Sequence, residues 1–101
     1  MNIYITQLIY IRAGEEKAFD QFESIAIPAI SKYNGKLLLR IRPDKEAIIE
    51  SSMEAPYEIH LCVFDTGDDF KNFMQDEERK QFLHLKEQSV RSVILIKGKQ
   101  L

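Results

Sequence analysis

The chain has 101 residues, 45% hydrophobic and 30% charged, with a formal net charge of −2 at pH 7. This size and mixture predict one globular domain over 1–101, neither disordered nor fibrous. Basic and acidic residues are interspersed, so no positive field draws a nucleic acid or an anionic membrane, and no apolar run reaches the roughly 18 residues of a membrane span.

The segment NIYITQLIYI, 2–11, sets Ile3, Ile5, Gln7, Ile9 and Ile11 against Tyr4, Thr6, Leu8 and Tyr10, the period of a strand. It lacks the positive start and small-residue cleavage site of a signal peptide. After Ala13-Gly14, the residues Glu15 and Glu16 suit the first turn of a helix. Ala18, Phe19, Phe22, Ile25, Ala26, Ala29, Ile30 and Tyr33 then form one apolar stripe, with Pro28 demanding a kink or restart. Asn34-Gly35 is a helix stop.

KLLLRIRP, 36–43, predicts a second strand closed by Pro43. The connection 44–56 is long for a hairpin, and AIIE within it predicts a short extra strand at the sheet edge. YEIHLCVFD, 57–65, is a third strand, with Tyr57, Ile59, Leu61 and Val63 on one face and His60, Cys62 and Phe64 on the other. Thr66 and Asp69 form a capping box that opens a helix packed through Phe70, Phe73 and Met74. The polar run QDEERKQ bends or restarts that helix before Phe82, Leu83 and Leu85, and RSVILIK, 91–97, is the last strand, ended by Gly98.

The order strand, helix, strand, strand, helix, strand predicts an α+β, ferredoxin-like βαββαβ fold: a four-stranded antiparallel sheet with both helices on one face. The first and third strands are apolar on both sides. Two helices cover one side only, and an exposed apolar patch of several hundred Å2 is rare on a monomer. A two-fold contact pairs such a patch with itself, so the expected partner is a second copy of the chain in a homodimer. The lone cysteine, Cys62, has no internal disulfide partner, which points to a reducing, cytoplasmic setting.

The runs GEEKAFDQFESIAIPAISKYNGKLLLRIRP and APYEIHLCVFDTGDDFKNFMQDEERKQFL carry a family resemblance. The helix ending KYNG, the turn Phe64-Asp65-Thr66 and the acidic run before QFL resemble the dimeric α/β barrel superfamily. Within it the chain is similar to small domains of unknown function related to the antibiotic-biosynthesis monooxygenases. The resemblance covers nearly the whole chain and implies two ferredoxin-like subunits joining their sheets into a barrel. It also implies a small aromatic or enolisable ligand, with either a monooxygenase-like oxidation without metal or flavin or a small isomerisation as the reaction. Haem degradation, known among such relatives, fits poorly: Gln7 and His84 are rough analogues of their polar residues, but the chain has no tryptophan.

His60 is the candidate catalytic base, as the one strand residue with a near-neutral ordinary pKa. Its bland alternative is a histidine held by a neighbour at the dimer interface. Arg40 and Arg42, two residues apart on one strand, are candidates to clamp a carboxylate or enolate. They equally fit pairing with Glu46, Glu50 or Glu58. Gln7 and Tyr10 are candidate ligand-binding residues, and Tyr4 and Tyr33 are weaker ones. Cys62 reads first as a buried small residue. No zinc-ligand spacing, dinucleotide fingerprint, P-loop or nucleophile elbow occurs, so no metal and no cofactor is expected.

Two functions follow from these residues. One is a ligand-binding protein, enzymatic through His60, with a cavity lined by His60 and at least one of Gln7, Arg40 or Tyr10. The other is a non-catalytic dimeric binding or assembly domain, whose polar groups pair among themselves.

Overall fold

The computed structural model describes residues 2–101. The strands are β1 (Ile3–Ile11), β2 (Gly35–Ile41), β3 (Glu58–Phe64) and β4 (Val90–Gly98), and the helices are α1 (Glu16–Ala29), α2 (Gly67–Met74), α3 (Glu77–Gln81) and α4 (Leu83–Ser89). The sheet order is β2-β3-β1-β4 with every neighbouring pair antiparallel, the arrangement of an α+β ferredoxin-like fold. All the helices lie on one face.

Local chemistry sets the boundaries. Pro28 is carried in the last turn of α1, after which the chain tightens into a 3-10 turn, Ile30–Tyr33. Asn34, not the glycine, takes the left-handed conformation, at φ 56°. Gly35 answers a different need: a Cβ there would stand 2.5 Å from the Phe64 ring and 2.7 Å from Ile30. The Thr66 hydroxyl accepts from the Asp69 amide at 3.1 Å and opens α2. In the polar run, Asp76 accepts from the Arg79 amide at 2.9 Å and restarts the chain as α3. The AIIE segment is not a strand. Pro43 denies an edge ladder its N–H, Asp44 caps a 3-10 turn at Lys45–Ala47, and the chain continues without pairing.

Register separates the two sides of the sheet. Ile3, Ile5, Gln7 and Ile9 lie opposite Phe64, Cys62, His60 and Glu58, facing the helices. Tyr4, Thr6 and Leu8 lie opposite Val63, Leu61 and Ile59 on the uncovered face, joined by Ile94 and Ile96 of β4. Tyr57 precedes β3 and its ring meets Phe19 of α1 edge-on, so it does not belong to that uncovered face.

A bulge settles β2. Leu37 pairs with Cys62, but Leu39 pairs with Leu61, so Leu38 is an extra residue. The insertion turns Leu39 and Ile41 outward and sets Arg40 opposite His60, on the helix side. Between sheet and helices the apolar residues form two clusters instead of one continuous core. The first joins Ile5, Ile30, Phe64, Phe70 and Phe73, and the second joins Ala18, Phe22, Ala26 and Leu85.

Candidate functional site

A cavity of about 270 Å3 lies between sheet and helices, lined by members of both clusters. That is near the lower end of small-molecule sites, which run about 300–1,000 Å3. Phe19, Phe22, Phe64, Phe70 and Phe73 supply aromatic wall, and Gln7, Glu23, His60, Arg79 and Lys86 supply polar groups.

His60 sits on β3, only 4% exposed. Its Nε2 meets the carboxylate of Glu58, two residues along on the same face. Glu58 is fully buried at 0% and is shared three ways. Arg40 Nε donates to Oε2 at 2.8 Å, and Arg42 Nε donates to Oε1 at 2.6 Å. Burial opposes ionisation of Glu58, but hydrogen bonds from Arg40, His60 and Arg42 outweigh it and hold its pKa below the ordinary value. With Glu58 ionised, the His60 proton resides on Nε2, leaving Nδ1 as a lone-pair acceptor without a hydrogen bond among the described residues. Burial lowers the His60 pKa against the opposing pull of Glu58, so the ring is neutral at pH 7. A neutral imidazole oriented by a buried carboxylate is the arrangement of a general base.

The candidate residues divide. The structure brings His60 and Gln7 together at the cavity, paired across β1 and β3. Gln7 makes no side-chain hydrogen bond among the described residues, so its amide faces the cavity unpartnered. Arg40 and Arg42 lie beside the site but are taken up by Glu58 and by Asp20 of α1. Tyr10 stands on the opposite face, three residues from Gln7, where its hydroxyl donates to the Glu54 carbonyl at 2.8 Å. Tyr4 shares that outer face, and Tyr33 donates to Asp76 at 2.7 Å. His84 is exposed and stacks on Phe82. Cys62 lines the cavity, and burial, reinforced by Glu23, pushes its thiol up to about 11, so it remains protonated.

Three polar residues of the cavity escaped the sequence reading. Glu23 of α1 is 8% exposed and makes neither a hydrogen bond nor an ion pair among the described residues. Burial pushes its carboxyl up to about 7, with Glu58 adding to the rise and Arg40, Arg79 and Lys86 pulling against it. Arg79 of α3 is 7% exposed; one Nη donates to the Met74 carbonyl at 3.1 Å, while its Nε is buried without a partner. Its guanidinium stacks near the Phe22 and Phe73 rings, at 5.6 and 5.5 Å. Lys86 of α4 completes the group, its pKa lowered by burial first and by Arg79 second. Spacing did hold a signal for Glu23, which falls four residues after Phe19 and three before Ala26, inside the apolar stripe.

Among the described residues no group of His, Cys, Asp and Glu is placed to hold a metal ion, and no helix is long and apolar enough to cross a membrane.

No family model matches the sequence, and no curated protein matches it. Solved structures do resemble it. A protein of unknown function from Rhodopseudomonas palustris superposes with a TM-score of 0.84 at 15% identity, covering 99% of this chain and 82% of that one. A NIPSNAP family protein of unknown function from Agrobacterium tumefaciens gives 0.68 at 17% identity, covering 98% and 87%. A protein of unknown function from Bacteroides fragilis, described as dimeric with a ferredoxin-like fold, gives 0.70 at 14% identity over 98% and 96%. At these identities the likeness speaks for the fold.

Proposed function

We propose that the chain, acting as one domain, binds a small aromatic or enolisable ligand in the cavity between sheet and helices and removes a proton from it through His60. The observation that carries this reading is the pairing of a neutral, carboxylate-held His60 with a ligand-sized, mainly apolar space. Nδ1 accepts the proton from an acidic C–H or O–H, and Glu58 stabilises the imidazolium that forms. Gln7 is positioned to hydrogen-bond the developing oxyanion. Arg40 and Arg42 act through Glu58, keeping it ionised and in place. Returning the proton to another carbon would give isomerisation. In a monooxygenase-like outcome the enolate carbon attacks dioxygen as the second reactant, and the hydroperoxide that forms loses water, leaving one oxygen on the substrate as a carbonyl and using the substrate's own electrons.

The proposal includes the homodimer. Leu39, Ile41, Ile94 and Ile96 are 40–52% exposed on the uncovered sheet face, and apolar area gains about 25 cal/mol per Å2 when covered. A second copy presenting the same face meets that need, in keeping with the Bacteroides fragilis neighbour described as dimeric. Tyr10 belongs to this side of the molecule. The protonated Cys62 thiol fits a reducing, cytoplasmic setting.

The test is proton–deuterium exchange, followed by NMR in D2O, across a panel of 1,3-dicarbonyl compounds and phenols. Wild type accelerates exchange on at least one member, and His60→Ala lowers that acceleration by about 100- to 10,000-fold, the usual share of a general base. Equal rates in His60→Ala would remove the base from the proposal.

A further inference from the structure

The helix side of the cavity is chemically unlike its sheet side. Arg79 and Lys86 bring two cations against a single carboxyl, Glu23, and none of the three forms an ion pair with another among the described residues. Leaving such groups buried and unpaired is costly, several kcal/mol per ion in ordinary cases. Glu23 and Asp76 act on Arg79 from beyond ion-pair distance, and Arg79 keeps one donor, Nε, buried and unused. A guanidinium with a free donor and an ammonium beside it suit the two oxygens of a carboxylate. Glu23, when protonated, adds a third donor.

We infer that the ligand of this cavity is a small carboxylic acid, its carboxylate seated against Arg79, Lys86 and Glu23 and its apolar body lying along the phenylalanine wall toward Gln7 and His60. The inference rests on the cavity being a ligand site, as proposed above, and narrows what that site takes. Seating the carboxylate on the helices leaves the carbon or hydroxyl at the far end of the molecule for His60. The Arg40 and Arg42 pair is not needed for the anion, since both arginines are occupied by Glu58 and Asp20.

Binding an anion here favours the protonated form of Glu23. The groups facing Glu23 are Arg40 from β2, Glu58 and Cys62 from β3, Arg79 from α3 and Lys86 from α4. Glu23 itself is the group pushed up to about 7, and His60, nearby on β3, is already neutral. Carboxylate affinity therefore falls as pH rises through about 7, with proton uptake on binding.

Calorimetry with benzoate and its neutral isostere benzamide tests this, with cavity occupancy read from NMR shifts of Phe19 and His60. Wild type at pH 7 prefers benzoate at least tenfold, and Lys86→Met and Arg79→Gln each cut that preference by about tenfold. Should Arg79→Gln not fold, Lys86→Met carries the test. Benzoate affinity falls severalfold from pH 7 to 8 in wild type and stays flat in Glu23→Gln. If benzamide fills the cavity as well as benzoate, or the preference survives both substitutions, the carboxylate inference is overturned and the ligand site stands. If neither molecule perturbs the cavity, this inference and the ligand-binding function fall together.

Discussion

The two faces of the sheet depart from the usual arrangement in different ways. The face covered by helices holds Gln7, Glu58, His60 and the arginine pair around Glu58, whereas the uncovered face shows Leu39, Ile41, Leu61, Ile94 and Ile96. A protein built only to fold alone would put apolar residues inside and polar ones outside. Here each face departs from that rule. The inner face sets charged groups among its apolar residues, the feature the proposed ligand site uses, and the outer face carries exposed apolar area, the feature the proposed homodimer covers.

The inner face should break most sharply at Glu58. Glu58→Ala leaves Arg40, Arg42 and His60 around a missing carboxylate, and a loss of about 3–5 kcal/mol in urea unfolding is expected, as for one partner removed from a buried ion pair. A loss under about 1 kcal/mol would mean that the network behaves as a solvated surface feature.

Glu23 gives the opposite sign. Its folded pKa of about 7 stands above the ordinary 4.5, so the folded chain holds a proton that the unfolded chain has released. Stability from this group is fully present below pH 4.5 and is lost as pH rises through about 7. Glu23→Gln should therefore be stabilising by up to about 3 kcal/mol at pH 8, at 1.36 kcal/mol per pKa unit, and by almost nothing at pH 4. Equal stability of the two proteins at pH 8 would show Glu23 to be solvated.

On the outer face, Leu61→Asp sets a carboxylate in the middle of the apolar patch. Sedimentation should show dimer dissociation strengthened about 100-fold, with the fold retained by circular dichroism. A wild-type chain that is already a stable monomer at micromolar concentration would remove the second copy from the account. The smallest effect is expected at Gly35→Ala, where the new methyl meets Phe64 and Ile30, for about 1–3 kcal/mol of thermal destabilisation. No change there would mean that the Phe64 ring is free to move aside.

The sequence made much of this comparison legible. Alternation in β1 and β3 sorted the residues of each strand into two faces without saying which face meets the helices, and the apolar excess on both sides announced the uncovered patch. The same alternation separates Gln7 from Tyr10, so only one of them could share a cavity with His60. The bulge at Leu38 was hidden because Leu37, Leu38 and Leu39 are identical, and an inserted residue leaves no mark in a uniform run. With it went the relation of Arg40 to His60. Arg79 was hidden in QDEERKQ for another reason. That run reads as a solvated hinge, and only the new helix start at Asp76 turns Arg79 inward. Glu23 was readable from helical phase, but a charged residue inside an apolar stripe is easily assigned to the edge of the stripe.

The central claim is that His60 is a neutral base, held by Glu58 and open to the cavity at Nδ1. Substituting His84→Gln leaves a single imidazole, whose 15N spectrum reports charge and tautomer directly. The account predicts a neutral ring at pH 7 with its proton on Nε2, titrating below 6.5. An imidazole still charged at pH 7, or one carrying its proton on Nδ1, would contradict it.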